Sequence, residues 1–116
     1  MAIPQYPGNF SARALDASEL VPEGFVLLDI REENEFAAGH APGAVNFPLS
    51  GLQRRVDELP EGKLILACRT GSRSAQAMDW LTLQGHRVWN LRDGLIAWRM
   101  AGFPVVRDDG EPGTLI

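Results

Sequence analysis

The chain carries one cysteine, Cys68, and it stands where an apolar run, residues 64–67, gives way to a polar loop. Two arginines, a glycine and two hydroxyl residues follow it: Arg69, Thr70, Gly71, Ser72 and Arg73. A thiol beside cations is typical of covalent catalysis, because the thiolate is the nucleophile and positive charge stabilises it. We therefore take Cys68 as the candidate nucleophile and the loop as its binding site.

The polar loop leads directly into a predicted helix, which brings backbone donors towards the thiol. A helix N-terminus has about four N–H groups without partners and carries a partial positive charge. The amides of residues 69–73 can curl around Cys68, and Gly71 permits the positive φ that such a curl needs. A cradle of this kind favours an anion, and hence the thiolate over the thiol. The hypothesis requires a thiol that solvent can reach.

The spacing of the loop bears on which anion it holds. Cysteine-dependent phosphatases place five residues between the cysteine and an arginine, a position occupied here by Ser74. In this chain Arg73 follows after only four residues. The smaller loop suits one sulfur atom on Cys68 better than a tetrahedral phosphate, so a phosphatase or arsenate reductase is the less favoured alternative. Ser74 can donate to the bound sulfur or can simply cap the following helix.

The elements that position the loop alternate between apolar strands and amphipathic helices. Strands are predicted at residues 10–13, 25–30, 44–47, 64–67 and 87–91. Helices are predicted at residues 32–38, 50–59, 72–84 and 95–101, and Asp16 is a candidate cap of a further short helix. The inner strands are apolar without alternation, which indicates a parallel sheet covered on both faces. Ligands bind beyond the carboxyl ends of such strands, where Cys68 stands.

Length and charge exclude several classes of function. The 116 residues fit one domain, and a net charge of −4 argues against nucleic-acid binding, which rewards clustered lysine and arginine. No apolar run approaches the roughly 20 residues of a membrane span, and MAIPQYPGNF lacks the pattern of a signal peptide. One cysteine cannot close an internal disulfide, so we expect a cytoplasmic protein. One cysteine and two distant histidines do not suggest a metal site.

Three segments together resemble the rhodanese family of sulfurtransferases in its single-domain form. The family's active loop is similar to CRTGSRSA, residues 68–75, and its N-terminal signature to LDIREENEFAAGHAPGAVNFPL, residues 28–49. Its closing segment is similar to WNLRDGLIAWRMAGFPV, residues 89–105. The resemblance implies an α/β domain of three layers over residues 10–105, with a mostly parallel sheet of about five strands and helices on both faces. Residues 1–9 would be an N-terminal extension and residues 106–116 a tail.

The resemblance implies a two-step transfer of sulfur through a persulfide on Cys68. A small anionic donor such as thiosulfate would supply the sulfur, and cyanide or a cellular thiol, including a thiol on another protein, would accept it. Residues 69–73 would bind the donor, with Arg69 and Arg73 contributing charge, and no metal or organic cofactor is implied. A module that relays sulfur between proteins without notable turnover of small donors would use the same loop, so this alternative stays open.

Two further residues are expected to support the loop without touching the substrate. Asp29 ends a predicted strand and Arg31 follows two positions later, so they can form an ion pair behind the loop. The glutamates within residues 32–35 are predicted to form a solvated helix face. His40, in the turn sequence GHAPG, is expected to be a structural residue of that turn.

Overall fold

The computed structural model describes residues 3–116, which are built around one five-stranded sheet. Its strands are Asn9–Ser11 (β1), Phe25–Asp29 (β2), Val45–Asn46 (β3), Lys63–Ala67 (β4) and Val88–Arg92 (β5). They are hydrogen-bonded in the order β1-β5-β4-β2-β3, and all four neighbouring pairs are parallel. The predicted parallel sheet is therefore confirmed, and β4, which leads to Cys68, lies at its centre.

Three α-helices accompany the sheet in the described residues: Glu33–Ala38 (α1), Ser72–Leu83 (α2) and Gly94–Met100 (α3). Successive side chains of β4 point to opposite faces, and both faces are buried. Leu64 and Leu66 join a core cluster with Leu81 of α2, whereas Ile65 joins a second cluster with Trp98 of α3. Burying an aliphatic side chain contributes about 1.5–3 kcal/mol, which explains why this strand is apolar without alternation.

Helix α1 begins and ends within one residue of its predicted bounds, and it is tied to its neighbours by side chains. The Glu35 carboxylate accepts the N–H of Glu32, 3.1 Å away, which satisfies one of the unpaired donors at the helix start. The Glu32 carboxylate in turn accepts the Ser50 hydroxyl at 2.7 Å. Ser50 therefore binds the following loop to α1.

The helix predicted over residues 50–59 is wrong. The structure has two short 3-10 turns in this region, Leu49–Gly51 and Val56–Glu58. Of the three apolar residues at helical spacing in this segment, Leu52, Val56 and Leu59, only Leu52 is buried, at 2 % exposure. Val56 and Leu59 are only partly buried against the same core cluster, and a helix of this length is marginal unless packing stabilises a whole face.

The short helix expected after Asp16 is also wrong. The Asp16 carboxylate accepts both the N–H and the hydroxyl of Ser18, at 2.9 and 2.7 Å, and closes a turn. These two donors hold the pKa of Asp16 below its ordinary value, with the backbone N–H as the larger cause.

The final segment, residues 106–116, lies against the end of α1. Val106 and His40 exchange both backbone hydrogen bonds at 2.8 Å, and the Thr114 N–H donates to Ala38 at 2.9 Å. A Cβ on Gly39 would lie 2.5 Å from the Thr114 backbone, so the two chains touch directly at this glycine. In the part of the chain that the structure describes, no helix has the length and apolarity needed to cross a bilayer.

Candidate active site

Cys68 follows β4 directly and lies at the carboxyl edge of the sheet, where the chain turns into α2. Its Sγ accepts the backbone N–H of Gly71 at 3.1 Å and that of Ser74 at 3.4 Å. The Ser74 hydroxyl lies 3.4 Å from the same sulfur. Of the predicted amides of residues 69–73, only that of Gly71 thus donates to the thiol among the described residues, and the other two contacts come from Ser74, one residue beyond that loop.

The carbonyls at the start of the loop point the other way, towards the first turn of α3. The Cys68 carbonyl accepts the N–H of Leu95 at 2.9 Å, and the Arg69 carbonyl accepts the N–H of Ile96 at 3.1 Å. A Cβ on Gly94 would lie 2.5 Å from both carbonyl oxygens, so only glycine lets the loop lie this close to α3. These two hydrogen bonds hold the Cys68 and Arg69 carbonyls on α3, and the Gly71 N–H is the loop amide that donates to the sulfur.

Gly71 is the residue at which the loop reverses direction, and its φ of 95° is in the region that glycine adopts at little cost. A Cβ there would lie 3.0 Å from the backbone nitrogen of Asp93. Three donors reach the Gly71 carbonyl: Ala75 N–H at 3.0 Å, the Ser74 hydroxyl at 3.2 Å and Asn90 Nδ2 at 3.4 Å. The Gly71 carbonyl is therefore held by α2 and β5, and the N–H of the preceding peptide, between Thr70 and Gly71, donates to Cys68.

Asn90 is a neighbour of the loop that the sequence analysis missed. It lies in β5 and is 1 % exposed. The available signal was a lone amide side chain within the apolar run of residues 87–91, which a half-buried strand would also tolerate. Its contact with Gly71 depends on the pairing of β4 with β5, and spacing along the chain does not reveal it.

The thiol of Cys68 is 0 % exposed, so the expectation of a solvent-accessible thiol is wrong for this conformation. Three residues of the loop, Arg69, Thr70 and Ser72, are nevertheless exposed. Cys68 belongs to the core cluster that contains Leu28, Ile30 and Phe47, and this packing contributes to its burial. Chemistry at Sγ therefore requires a rearrangement that exposes the thiol.

The two arginines of the loop differ in their surroundings. In residues 3–116 Arg69 is exposed and has no ion-pair partner, whereas Arg73 donates to both oxygens of Glu35, at 2.9 and 3.0 Å. The prediction that Glu35 lies on a solvated face is wrong, since its side chain is only 18 % exposed. The Arg73 guanidinium holds the pKa of Glu35 below its ordinary value. Arg73 is thus already compensated, whereas the charge of Arg69 has no ion-pair partner in the described part of the chain.

Asp29 and Arg31 form the expected ion pair, and they are 1 % and 0 % exposed. Arg31 Nη2 lies 2.8 Å from the carboxylate and also donates to the Gly39 carbonyl at 2.7 Å. Its Nη1 donates to the Glu35 carbonyl at 3.3 Å. The pair therefore fixes the path of α1, the helix whose Glu35 side chain binds Arg73. Its influence on the Cys68 loop is indirect and passes through Glu35 and Arg73.

His40 is used for structure. Its Nδ1 lies 2.8 Å from the Phe36 carbonyl and its ring stacks on the Phe36 ring at 3.8 Å. Its Nε2 lies 3.2 Å from the Asp108 carboxylate in the final segment. The described residues contain no group of three or more histidine, cysteine or acidic side chains arranged to hold a metal ion.

Comparison with known proteins decides the family. The model of the rhodanese-like domain matches residues 12–101, which include β2, the Cys68 loop and α3. The chain belongs to the rhodanese-like family. The family's fold is also seen in a rhodanese-related protein from Thermoplasma volcanium, whose crystal structure superposes with a TM-score of 0.76 at 28 % identity, over 87 % of this chain and 98 % of that one.

Relatives of this rhodanese-like chain include transferases and a carrier. A sulfurtransferase from Allochromatium vinosum is 41 % identical over 90 residues, which are 76 % of this chain and 84 % of that protein. A putative sulfur carrier protein from Bacillus subtilis, YrkF, is 35 % identical over 78 residues, 66 % of this chain but 42 % of that protein. Three further relatives are matched over 38–59 % of their lengths. Family membership thus supports a transferase of the sulfurtransferase type in general.

Proposed function

We propose that this rhodanese-like protein moves a sulfane sulfur from a small anionic donor, such as thiosulfate, through a persulfide on Cys68 to cyanide or a thiol. The observation that carries the proposal is the pair of N–H donors, from Gly71 and Ser74, aimed at Sγ. Hydrogen bonds to an ionised acceptor are roughly twice as strong as neutral ones, so this arrangement favours a sulfur anion. Preorganised donors are a principal source of stabilisation in catalysis of this type.

The proposed reaction has two displacement steps, both at sulfur. The Cys68 thiolate attacks the outer sulfur of thiosulfate, the donor's S–S bond breaks, and sulfite leaves with the electron pair. Cyanide or an acceptor thiolate then attacks the outer sulfur of the persulfide, and the Cys68 thiolate leaves. Electrons and charge balance without an organic cofactor or a metal. Because the cycle starts from a reduced thiol, we place it in a reducing compartment such as the cytoplasm.

Arg69 is the residue that would attract the donor. It is exposed at the mouth of the loop, and no carboxylate of the described residues compensates its charge. Thr70 and Ser72, which are exposed beside it, would add hydroxyl donors. Arg73 must release Glu35 before it can bind the donor. Its contribution to donor binding is therefore smaller than the sequence suggested.

A relay module between proteins is the second candidate, and the burial of Cys68 favours it. A protein partner that displaces the outer loop would expose a thiol that a small donor reaches only when the loop opens by itself. Steady-state kinetics separate the two functions, since a pure carrier should show a millimolar or weaker KM for thiosulfate and slow turnover. A phosphate-ester substrate should not be hydrolysed under either proposal.

The experiment is thiosulfate-to-cyanide transfer by the intact chain and its variants. Cys68→Ala should abolish transfer, and retained turnover in that variant would refute the mechanism. Arg69→Ala should raise the KM for thiosulfate several-fold, because one exposed charge is worth up to about 1 kcal/mol. Arg54→Ala, an exposed arginine outside the loop, is the matched control and should leave the KM unchanged.

A further inference from the structure

The ion pair between Arg73 and Glu35 joins the Cys68 loop to α1, and further hydrogen bonds fix its position. Arg73 donates through Nη1 and Nη2 to the two carboxylate oxygens, at 2.9 and 3.0 Å. The Glu32 N–H donates to the same carboxylate at 3.1 Å, and Arg31 Nη1 donates to the Glu35 backbone carbonyl at 3.3 Å. A bidentate pair has a defined geometry, so the carboxylate stays beside the loop.

Arg73 lies in the segment whose backbone holds the sulfur of Cys68. Gly71, two residues before it, and Ser74, directly after it, donate N–H groups to Sγ at 3.1 and 3.4 Å. The pKa of Arg73 is raised above its ordinary value, chiefly by the hydrogen bond to Glu35 and in smaller part by the negative charge that Cys68 can carry. The guanidinium therefore interacts electrostatically with the sulfur.

Glu35 places a full negative charge next to that guanidinium. Arg73 holds the pKa of Glu35 below its ordinary value, so the carboxylate is ionised at neutral pH. Asp29 also raises the pKa of Arg73, but it is itself paired with Arg31 at 2.8 Å. Arg69 has no ion-pair partner in the described part of the chain. Of the two positive charges in the loop, that of Arg73 is therefore balanced and that of Arg69 is not.

We propose that Glu35 is a specificity-determining residue for the sulfur donor: by balancing the charge of Arg73, it reduces the advantage that a dianionic donor has over a monoanionic one at Cys68. This inference rests on the proposed function. The interaction of a donor with the nearby charges scales with the donor's own charge. In free energy, the carboxylate therefore disfavours thiosulfate, a dianion, about twice as strongly as it disfavours a monoanion such as a persulfide anion.

The first test compares two donors that differ by one charge, thiosulfate and methanethiosulfonate, with cyanide as the acceptor. Methanethiosulfonate passes its outer sulfur to the Cys68 thiolate, and methanesulfinate leaves with the electron pair of the broken S–S bond. In Glu35→Gln, which keeps an acceptor for the Glu32 N–H, we expect kcat/KM to rise about fourfold for thiosulfate and about twofold for methanethiosulfonate. Glu33→Gln, an exposed neighbour in α1, is the matched control and should leave both values unchanged. A fall, no change, or an equal change for the two donors in Glu35→Gln would overturn the proposal.

The reverse change uncovers the carboxylate. Arg73→Met leaves Glu35 uncompensated beside Cys68, so kcat/KM should fall for both donors, and more for thiosulfate than for methanethiosulfonate. The variant that combines Arg73→Met with Glu35→Gln is again balanced in charge. Its ratio of kcat/KM for thiosulfate to that for methanethiosulfonate should return to within about twofold of the parent value. A ratio as low as that of Arg73→Met alone would refute the role of the Glu35 charge.

The second test measures the effect of charge at the sulfur and does not depend on sulfur transfer. Cys68 is the single cysteine, so its alkylation can be followed by intact mass with iodoacetate, an anion, and with iodoacetamide, a neutral reagent of nearly equal size. The ratio of the two rates cancels any change in how often the thiol becomes exposed. Glu35→Gln should raise the ratio of the iodoacetate rate to the iodoacetamide rate about twofold at about 0.01 M salt, and the rise should shrink at about 1 M.

An unchanged ratio of alkylation rates in Glu35→Gln would refute the role of Glu35 even if sulfur transfer were observed. If the parent chain fails to transfer sulfur from either donor, the proposed function is refuted, while the alkylation ratio still decides whether Glu35 controls the access of anions to Cys68.

Discussion

Two buried polar clusters lie at the same edge of the sheet, and they are built in opposite ways. After β2, Asp29 and Arg31 satisfy one another, and Arg31 adds two backbone carbonyls. After β4, the sulfur of Cys68 accepts a close N–H from Gly71 and a longer one from Ser74 and lies 3.4 Å from the Ser74 hydroxyl, and the nearby Asn90 has an oxygen without a partner among residues 3–116. The first cluster is complete, and the second has hydrogen-bonding capacity left.

The difference distinguishes the Asp29–Arg31 cluster, which supports the fold, from the Cys68 cluster, which can react. A buried ion pair tolerates burial only when its remaining donors are also paired, and removing one partner leaves an uncompensated charge. A buried thiol costs little, since cysteine behaves as a small apolar residue. Its weak hydrogen bonds become stronger when the sulfur carries charge. Stability should therefore depend on the Arg31 cluster, and sulfur transfer on the Cys68 loop.

The largest expected effect on folding is that of Arg31→Met. This change leaves the Asp29 carboxylate buried without its partner, and it should lower the free energy of unfolding by about 3–5 kcal/mol. Arg55→Met, which removes an exposed arginine paired with Glu58, should cost less than about 1 kcal/mol. Denaturant unfolding measures both. Equal losses of unfolding free energy in the two variants would show that the buried pair supports the fold no more than an exposed pair does.

An intermediate effect is expected from Gly94→Ala, and here activity should suffer more than stability. The new Cβ would collide with the Cys68 and Arg69 carbonyls and displace the loop from α3. Gly102→Ala is a close control, since its φ of 87° is also left-handed but nothing lies within 4 Å of the new Cβ. Each change should cost about 1–2 kcal/mol of backbone strain, and the collision should add to this cost in Gly94→Ala. Sulfur transfer should fall between about tenfold and a hundredfold in Gly94→Ala alone.

Unchanged transfer in Gly94→Ala, measured as kcat with thiosulfate, would show that the contact with α3 does not determine where the loop amides point. An equal loss of transfer in Gly102→Ala would assign the effect to general strain. Either result would contradict the proposed division between the supporting Asp29–Arg31 cluster and the reactive Cys68 loop.

The smallest expected effect concerns the Arg73–Glu35 ion pair, which connects the two clusters. Its contribution to stability depends on pH. Arg73 lowers the pKa of Glu35 in the folded protein. The stabilising contribution of the pair is therefore fully present above the ordinary glutamate pKa of about 4.3, and it is lost as the pH falls through the lower folded-state value. Glu35→Gln should lower the free energy of unfolding by about 1 kcal/mol at neutral pH, because Arg73 is partly exposed and solvent screens the pair.

The stability difference between the parent chain and Glu35→Gln should close as the pH is lowered below about 4. Unfolding free energies measured across this range check the sign. Glu33→Gln, an exposed residue of the same helix, should give a nearly parallel curve at all pH values. A gap that persisted in acid would mean that Glu35 acts through packing, with its charge playing no part.

The sheet could be predicted from sequence because its signals are local. Apolar runs bounded by turn residues located β2, β4 and β5, and Gly39 and Gly85 directly follow two of the predicted helices. The helix predicted over residues 50–59 was wrong because helical spacing of three apolar residues does not reveal whether the fold buries them.

The sequence identified the main residues of the site, but it did not reveal all of their contacts. Cys68 and the short loop stand together in sequence, so their proximity followed directly. The Arg73–Glu35 pair joins residues 38 positions apart, and Cys68 is buried in a core cluster with residues of other elements, such as Leu28 and Phe47. Asn90 was missed for the same reason, since only the sheet register brings it beneath Gly71.

The most direct measurement is the intact mass of the protein after exposure to thiosulfate. If the loop holds a second sulfur on Cys68, the parent chain should gain the mass of one sulfur atom, cyanide should remove it, and Cys68→Ala should gain nothing. An unchanged mass in the parent chain, or the same gain in Cys68→Ala, would contradict the account.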